Sequence, residues 1–344
     1  MKRKRFLSSL LASPLMQGIP FSSASGISAF RLMQEESFTI PPYLKHGDTI
    51  GITCPAGHMS ADELAPCLNT LESWGFKLRL GSTVGRRDFT FGGTDEERAD
   101  DFQQMLDDPS LQAILCARGG YGCIRIIDRL DFRKFVARPK WIIGFSDITV
   151  IHAHLNHNYR IASIHSKMCN SFPDRLDEAE PAQLNSILSI RTALTGNRVE
   201  YPLVPDPGNK TGMATGMLTG GNLKTIETLV GSASDLHTEG MILFVEDVGE
   251  YLYSVDRMFY SLKRTGKLDR LAALLIGGFK VKPDDPGDEF GRSVYNIVLE
   301  HVSAYHYPIC FNFPVGHQKV NYALKCGVKH QLIVGDQEVI FKEV

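Results

Sequence analysis

From Asp48 to Ser166, short apolar runs alternate with amphipathic stretches, and the connections between them are short. That pattern constrains the fold more than any other feature. A strand followed by a helix returns the chain to lie beside and parallel to the first strand, so repeated alternation implies a parallel sheet covered on both faces. "TIGITCPA", "FKLRLGS", "LQAILCAR", "KWIIGF" and "IASIHS" read as five strands, apolar and rich in β-branched residues. Between the first two, "SADELAPCLNTLESWG" places Leu64, Leu68 and Leu71 at helical spacing, with Pro66 setting the helix start near itself. "TDEERADDFQQMLDDP" opens with a capping box, Thr94 and Glu97, and carries Ala99, Phe102 and Leu106 on one stripe. "GGYG" turns the third strand into the helix "CIRIIDRL", and a further helix follows the fourth strand from about Asp147.

After Ser166 the pattern changes. "PAQLNSILSIRTAL" reads as a helix, and "YPLVPDPGNKTG" as a Pro/Gly-rich crossing between domains. Alternation then resumes: strands in "MATGMLTG", "MILFVED", "LAALLIGGF" and "YPICFNFPVG", and helices in "GNLKTIETLVG", "YSVDRMFYSLKRTG" and "FGRSVYNIVLEHVS". "LIVGDQEVIF" reads as a closing hairpin with Gly335-Asp336 at its turn. The expected division is a tail over 1–40, an α/β domain over 41–166, a connection over 167–212 and a smaller α/β domain over 213–344. The tail, "MKRKRFLSSLLASPLMQG", has a basic start, a weakly apolar stretch and small residues after it. It reads either as an export signal, placing the protein in the periplasm, or as a basic extension of a cytoplasmic protein.

The charge balance, −2 over 344 residues, gives no footprint for nucleic acid. No apolar run approaches the roughly 20 residues that span a bilayer. Seven scattered cysteines, several inside apolar runs and none in a CxxC pair, read as reduced core residues rather than disulfides or zinc ligands.

Parallel sheets build their sites where strands end and loops lead into helices. "ARGGYG", "GFSD", "FVEDVGE" and "FPVGHQ" occupy such ends. A serine nucleophile needs a base, a carboxylate to orient the base, and two N–H donors for the developing oxyanion. Ser146, at a strand-to-helix turn, matches the first half of a nucleophile elbow, with Ile148 in place of the final glycine. The alternative is a helix-capping serine. His317 follows a strand and a turn, and suits the base; a solvated loop histidine is the plainer reading. The carboxylate is Glu246 or Asp247, since either would need pairing at the end of a buried strand. "GGYG" offers backbone N–H groups but lacks both the dinucleotide and the P-loop spacing. His152, His154 and His157 read as core or surface histidines, or as a metal cluster.

Taken in order, "GDTIGITCPAG", "GGTDEERADDFQQMLDDPSLQAILCARGGYG", "WIIGFSDIT", "TGGNLKTIETLVG", "ILFVEDVGEYLYSVDRM" and "FPVGHQKVNYALKCGVK" resemble the LD-carboxypeptidase family of serine peptidases. The resemblance runs from about Asp48 to Gly327. It implies a catalytic Ser146, Glu246 and His317, with oxyanion N–H groups from Gly120 and Asp147. It implies an N-terminal parallel-sheet domain of class I glutamine amidotransferase or flavodoxin-like type, a smaller C-terminal α/β domain, no metal or other cofactor, and a homodimer. The implied reaction is removal of the terminal D-alanine from a peptidoglycan-derived tetrapeptide. Arg118, beside the glycine loop, would bind the substrate's terminal carboxylate or form a structural salt bridge. The family's usual His-Gly after the fifth strand is here His165-Ser166-Lys167. Microcin C-immunity peptidases share the implied fold and triad and act on a nucleotide-bearing peptide. Trp74 and Trp141, the only tryptophans, fall outside the 167–212 connection, where a base-stacking aromatic would be sought. A ligand-binding relative without catalysis is the remaining alternative.

Overall fold

The computed structural model describes residues 38–344. The tail or export signal expected over 1–40 lies outside them except for its last three residues. Thr39 already belongs to the fold, with its N–H donating to Arg160 O at 2.7 Å and a bridge to Ile161.

The first lobe has β1 (Thr49–Thr53), α1 (Ala61–Ser73), β2 (Lys77–Leu80), α2 (Asp95–Asp107), β3 (Ala113–Cys116), α3 (Cys123–Ile126), α4 (Arg133–Ala137), β4 (Trp141–Gly144), α5 (Thr149–Tyr159) and β5 (Ser163–His165). The five strands are parallel, in the order β2-β1-β3-β4-β5. Two local expectations are corrected. α1 starts at Ala61, not near Pro66, because Ser60 and Glu63 form a capping box that fixes the start. Pro66 removes only one backbone donor from the helix, and its carbonyl accepts from Thr70 Oγ1 at 2.9 Å. "CIRIIDRL" is not one helix: α3 gives way to a 3-10 turn, Ile127–Arg129. Asp131 then accepts from the Arg133 N–H at 2.9 Å and turns the chain into α4.

After α6 (Pro181–Leu194) come β6 (Glu200–Leu203), β7 (Gly212–Asn222), α7 (Leu223–Leu229), β8 (Ile242–Val248), α8 (Leu252–Arg264), β9 (Ala273–Lys280), α9 (Val294–Val302), β10 (Ile309–Cys310), β11 (Leu324–Cys326), β12 (Lys329–Val334) and β13 (Val339–Glu343). The second sheet runs β10-β9-β8-β7-β12-β13-β6. β7 to β10 are parallel, whereas β12, β13 and β6 are antiparallel. β6 lies inside the stretch read as a crossing and pairs with β13. β11 leaves the second lobe altogether and pairs antiparallel with β5 on the first sheet. Its central Lys325 is fully buried, bonded to Glu343 at 2.9 Å. A buried lysine in a three-residue strand carries no alternating apolar signal, which is why the sequence hides it.

The lobes share a core. One apolar cluster holds Phe145, Ile148 and Val150 of the first lobe together with Leu223, Ile226 and Leu243 of the second. Across the same seam Thr149 Oγ1 accepts from the Asn222 N–H at 3.1 Å. The C-terminal ends of β4 and of β8 therefore open onto one cleft.

Candidate active site

β4 ends at Gly144, and a 3-10 turn, Ser146–Ile148, leads into α5. Ser146 takes φ +64° there, in the left-handed region that a serine occupies only at a cost. The turn presents a half-buried hydroxyl. Gly119 packs against it: a Cβ on Gly119 would lie 3.0 Å from the Ser146 Cβ, so no side chain fits between the loop and the serine.

The loop is held from below by Arg98, which is fully buried on α2. Its Nη1 donates to Pro55 O at 2.6 Å and to Gly122 O at 3.0 Å, and its Nη2 pairs with Asp95 at 2.5 Å. Asp147 points its carboxylate back to the Cys123 N–H at 2.7 Å, and burial raises its pKa. That side chain ties the start of α3 to the serine turn. Among the described residues the N–H groups of Gly120 and Asp147 donate to no other group. Arg98 was missed from the sequence because it stands in the charged run "DEER", which reads as a solvated helix start.

Glu246 is fully buried near the end of β8. His317 Nδ1 lies 2.6 Å from Glu246 Oε2, and the His317 N–H donates to the same oxygen at 3.2 Å. Against an ionised carboxylate, which only accepts, Nδ1 is the ring nitrogen that donates. The approach depends on Gly316, at φ +101°, where a Cβ would come within 2.5 Å of the Glu246 Cβ. Asn321 Oδ1 pins the Gly316 N–H at 2.9 Å. The imidazole rests on Phe145, the residue before Ser146, with ring centroids 4.9 Å apart. Among the described residues no hydrogen bond joins Ser146 Oγ to His317, a contact that commonly tightens only with substrate bound.

Asp247, the other carboxylate left open by the sequence, lines a cavity beside Ser146 but makes no hydrogen bond to His317 among the described residues. It accepts from the Lys224 N–H at 2.8 Å at the start of α7 and from the Val248 N–H at 2.7 Å. Burial pushes it up to about 7. That cavity, of about 330 Å³, is also lined by Gly120 and Asp147 from one lobe and by Asn222, Lys224 and Glu250 from the other.

Other singled-out residues have other places. His152 Nε2 bonds Gly144 O at 2.9 Å, and burial lowers it to about 4. His154 Nδ1 bonds Ser234 Oγ at 2.8 Å, and His157 is exposed. Among the described residues no cluster of His, Cys, Asp and Glu is arranged to hold a metal. The seven cysteines are buried and free. Arg118 is exposed beside the glycine loop and forms no ion pair among the described residues, its Nη1 lying 3.5 Å from His58 O. Ser166 is buried, its N–H donating to Gly144 O. Lys167 crosses to the second lobe, where Nζ donates to Gln318 O at 2.9 Å. Trp141 stacks on Tyr43 and Trp74 packs on Phe172, so both indoles belong to the core.

Two family models match the chain, the LD-carboxypeptidase N-terminal domain over residues 50–166 and the LD-carboxypeptidase C-terminal domain over 215–332. The murein tetrapeptide carboxypeptidase of Pseudomonas aeruginosa is 31% identical over 81% of this chain and 91% of its own length. The crystal structure of muramoyltetrapeptide carboxypeptidase from Oxalobacter formigenes superposes with a TM-score of 0.76 at 26% identity, covering 86% of this chain and 98% of that one. The microcin C7 self-immunity protein MccF, in complex with aspartyl sulfamoyl adenosine, superposes with a TM-score of 0.77 at 24% identity, covering 89% and 99%. That last likeness is one of fold. With two matching domain models in order along most of its length, the chain belongs to the LD-carboxypeptidase family.

Proposed function

We propose that the protein is a serine-type LD-carboxypeptidase that removes the terminal D-alanine from tetrapeptides derived from peptidoglycan. The observation that carries the reading is the 2.6 Å bond between His317 and the fully buried Glu246, its imidazole packed at a tilt against the residue that precedes Ser146. In this reading Ser146 Oγ attacks the carbonyl carbon of the L-residue, and His317 Nε2 takes the hydroxyl proton. The carbonyl electron pair moves onto oxygen, where the Gly120 and Asp147 N–H groups stabilise it. The pair returns, the C–N bond breaks, and the imidazolium hands its proton to the departing amine. Water then adds to the ester by the same route, releasing the tripeptide and restoring the Ser146 hydroxyl. Glu246 holds the imidazole tautomer and stabilises the imidazolium.

The first lobe is a flavodoxin-like domain of the glutamine amidotransferase kind in this reading, supported by its strand order β2-β1-β3-β4-β5. The homodimer implied by the family resemblance is part of it. A nucleotide-bearing peptide, the substrate class of the immunity peptidases, finds less support, because both tryptophans are committed to the core. Incubation with purified murein tetrapeptide tests the reading. Mass spectrometry is expected to show loss of one alanine with wild type and none with Ser146→Ala. An intact tetrapeptide beside a cleaved aminoacyl-nucleotide would overturn the substrate assignment.

A further inference from the structure

We propose that Lys167, backed by Lys280, binds the terminal carboxylate of the departing amino acid beside His317. The inference rests on the peptidase reading above and assigns one of its contacts. The leaving group of a carboxypeptidase is an α-amino acid, whose nitrogen and carboxylate are separated by a single carbon atom. His317 must deliver a proton to that nitrogen. The cation that meets the carboxylate therefore stands next to the imidazole, not on the oxyanion side of the scissile carbonyl.

Lys167 meets that requirement. Its Nζ donates to the carbonyl of Gln318, the residue after His317. It also lies 6.0 Å from the centroid of the Phe145 ring on which His317 rests, so one aromatic ring carries both the ammonium and the imidazole. The ammonium is partly withdrawn from water, and among the described residues no carboxylate pairs with it. Burial and the charge of Lys280 both work against its own charge, opposed by Glu246. Lys280 closes β9, in register with Val248 of β8, and Gly278 two residues before it bridges to Gly316. Both cations thus flank the loop Gly316–Gln318, and an arriving carboxylate supplies the charge the site lacks. Arg118, the sequence's own candidate for the terminal carboxylate, precedes the glycine loop on the oxyanion side instead, with Nη1 3.5 Å from His58 O.

The test compares cleavage of the tetrapeptide with cleavage of its C-terminal amide, which lacks the carboxylate, in wild type, Lys167→Met and Lys167→Arg. Wild type is expected to favour the acid by about 10- to 100-fold in kcat/KM, the scale of one charge-assisted hydrogen bond. Lys167→Met is expected to bring the ratio close to one, and Lys167→Arg to retain most of it. A general disturbance of the His317 loop would slow both substrates alike and leave the ratio unchanged. A Lys167→Met variant that keeps the wild-type preference overturns the subsite alone. A wild type that cleaves neither substrate overturns the peptidase reading and the subsite with it.

Discussion

Ser146 holds a backbone angle that costs a non-glycine residue about 1–2 kcal/mol, and the turn around it keeps that strain in place. The strained turn has a use only if the hydroxyl it presents is made reactive by the Glu246–His317 pair. Replacing Glu246 by Gln keeps the shape and removes the charge that fixes the ring proton on Nδ1. We expect kcat on the tetrapeptide to fall by about 10³- to 10⁴-fold with KM little changed. A variant within tenfold of wild type would contradict the role given to Glu246. Gly316→Ala drives a methyl into Glu246 and is expected to lower activity and to cost about 1–3 kcal/mol of stability in denaturant unfolding. Three residues of this site stood out in the sequence because each ends a strand in a family-like motif. Glu246 was preferred to Asp247 through the family resemblance alone, since neighbours on a strand face opposite ways and nothing in "FVED" itself says which side holds the histidine. Arg98 and Asn321, which hold the two loops, act through backbone atoms distant in sequence and carry no motif at all.

Asp247 ties α7 to β8 through the Lys224 N–H, and this element-level contact has a pH signature. Folded, Asp247 keeps its proton up to about pH 7; unfolded, it releases it near the ordinary 3.8. Between those values the folded state holds more protons, so this contribution to stability falls as pH rises from about 4 to about 7. Thermal midpoints across that window, wild type against Asp247→Asn, are expected to differ least near pH 4, where the amide mimics the protonated acid, and to diverge towards neutrality as the wild type alone loses stability. A constant difference would contradict it. At the lobe seam, Thr149→Val strips the acceptor from a buried N–H and is expected to cost about 1–3 kcal/mol in denaturant unfolding. The strand–helix alternation made most elements legible. α1 was misjudged at its start because the capping box outweighs a proline that breaks one hydrogen bond. β6 and β11 escaped because a short edge strand and a strand built around a buried lysine lack the period-two signal.

At the scale of the whole molecule, the shared cluster and the return of β11 to the first sheet bind the two lobes into one cooperative unit. Calorimetry of the wild type is expected to show a single transition, and Ile226→Ala, which opens a cavity at the seam, to shift it by about 2–5 kcal/mol without splitting it. Two separate transitions would contradict the shared core. The lobe-scale design was only half visible in the sequence, which shows two runs of alternation but not a chain that crosses back between them. Glu246 and His317 lie on the lobe opposite Ser146, with His317 packed on Phe145 beside the serine. The most direct test of the arrangement is labelling with a fluorophosphonate probe, read by mass spectrometry of the Ser146 peptide. The account predicts modification of Ser146 in wild type, none in Ser146→Ala, and a loss of at least about 100-fold in rate in His317→Ala. Equal labelling of all three proteins would contradict it.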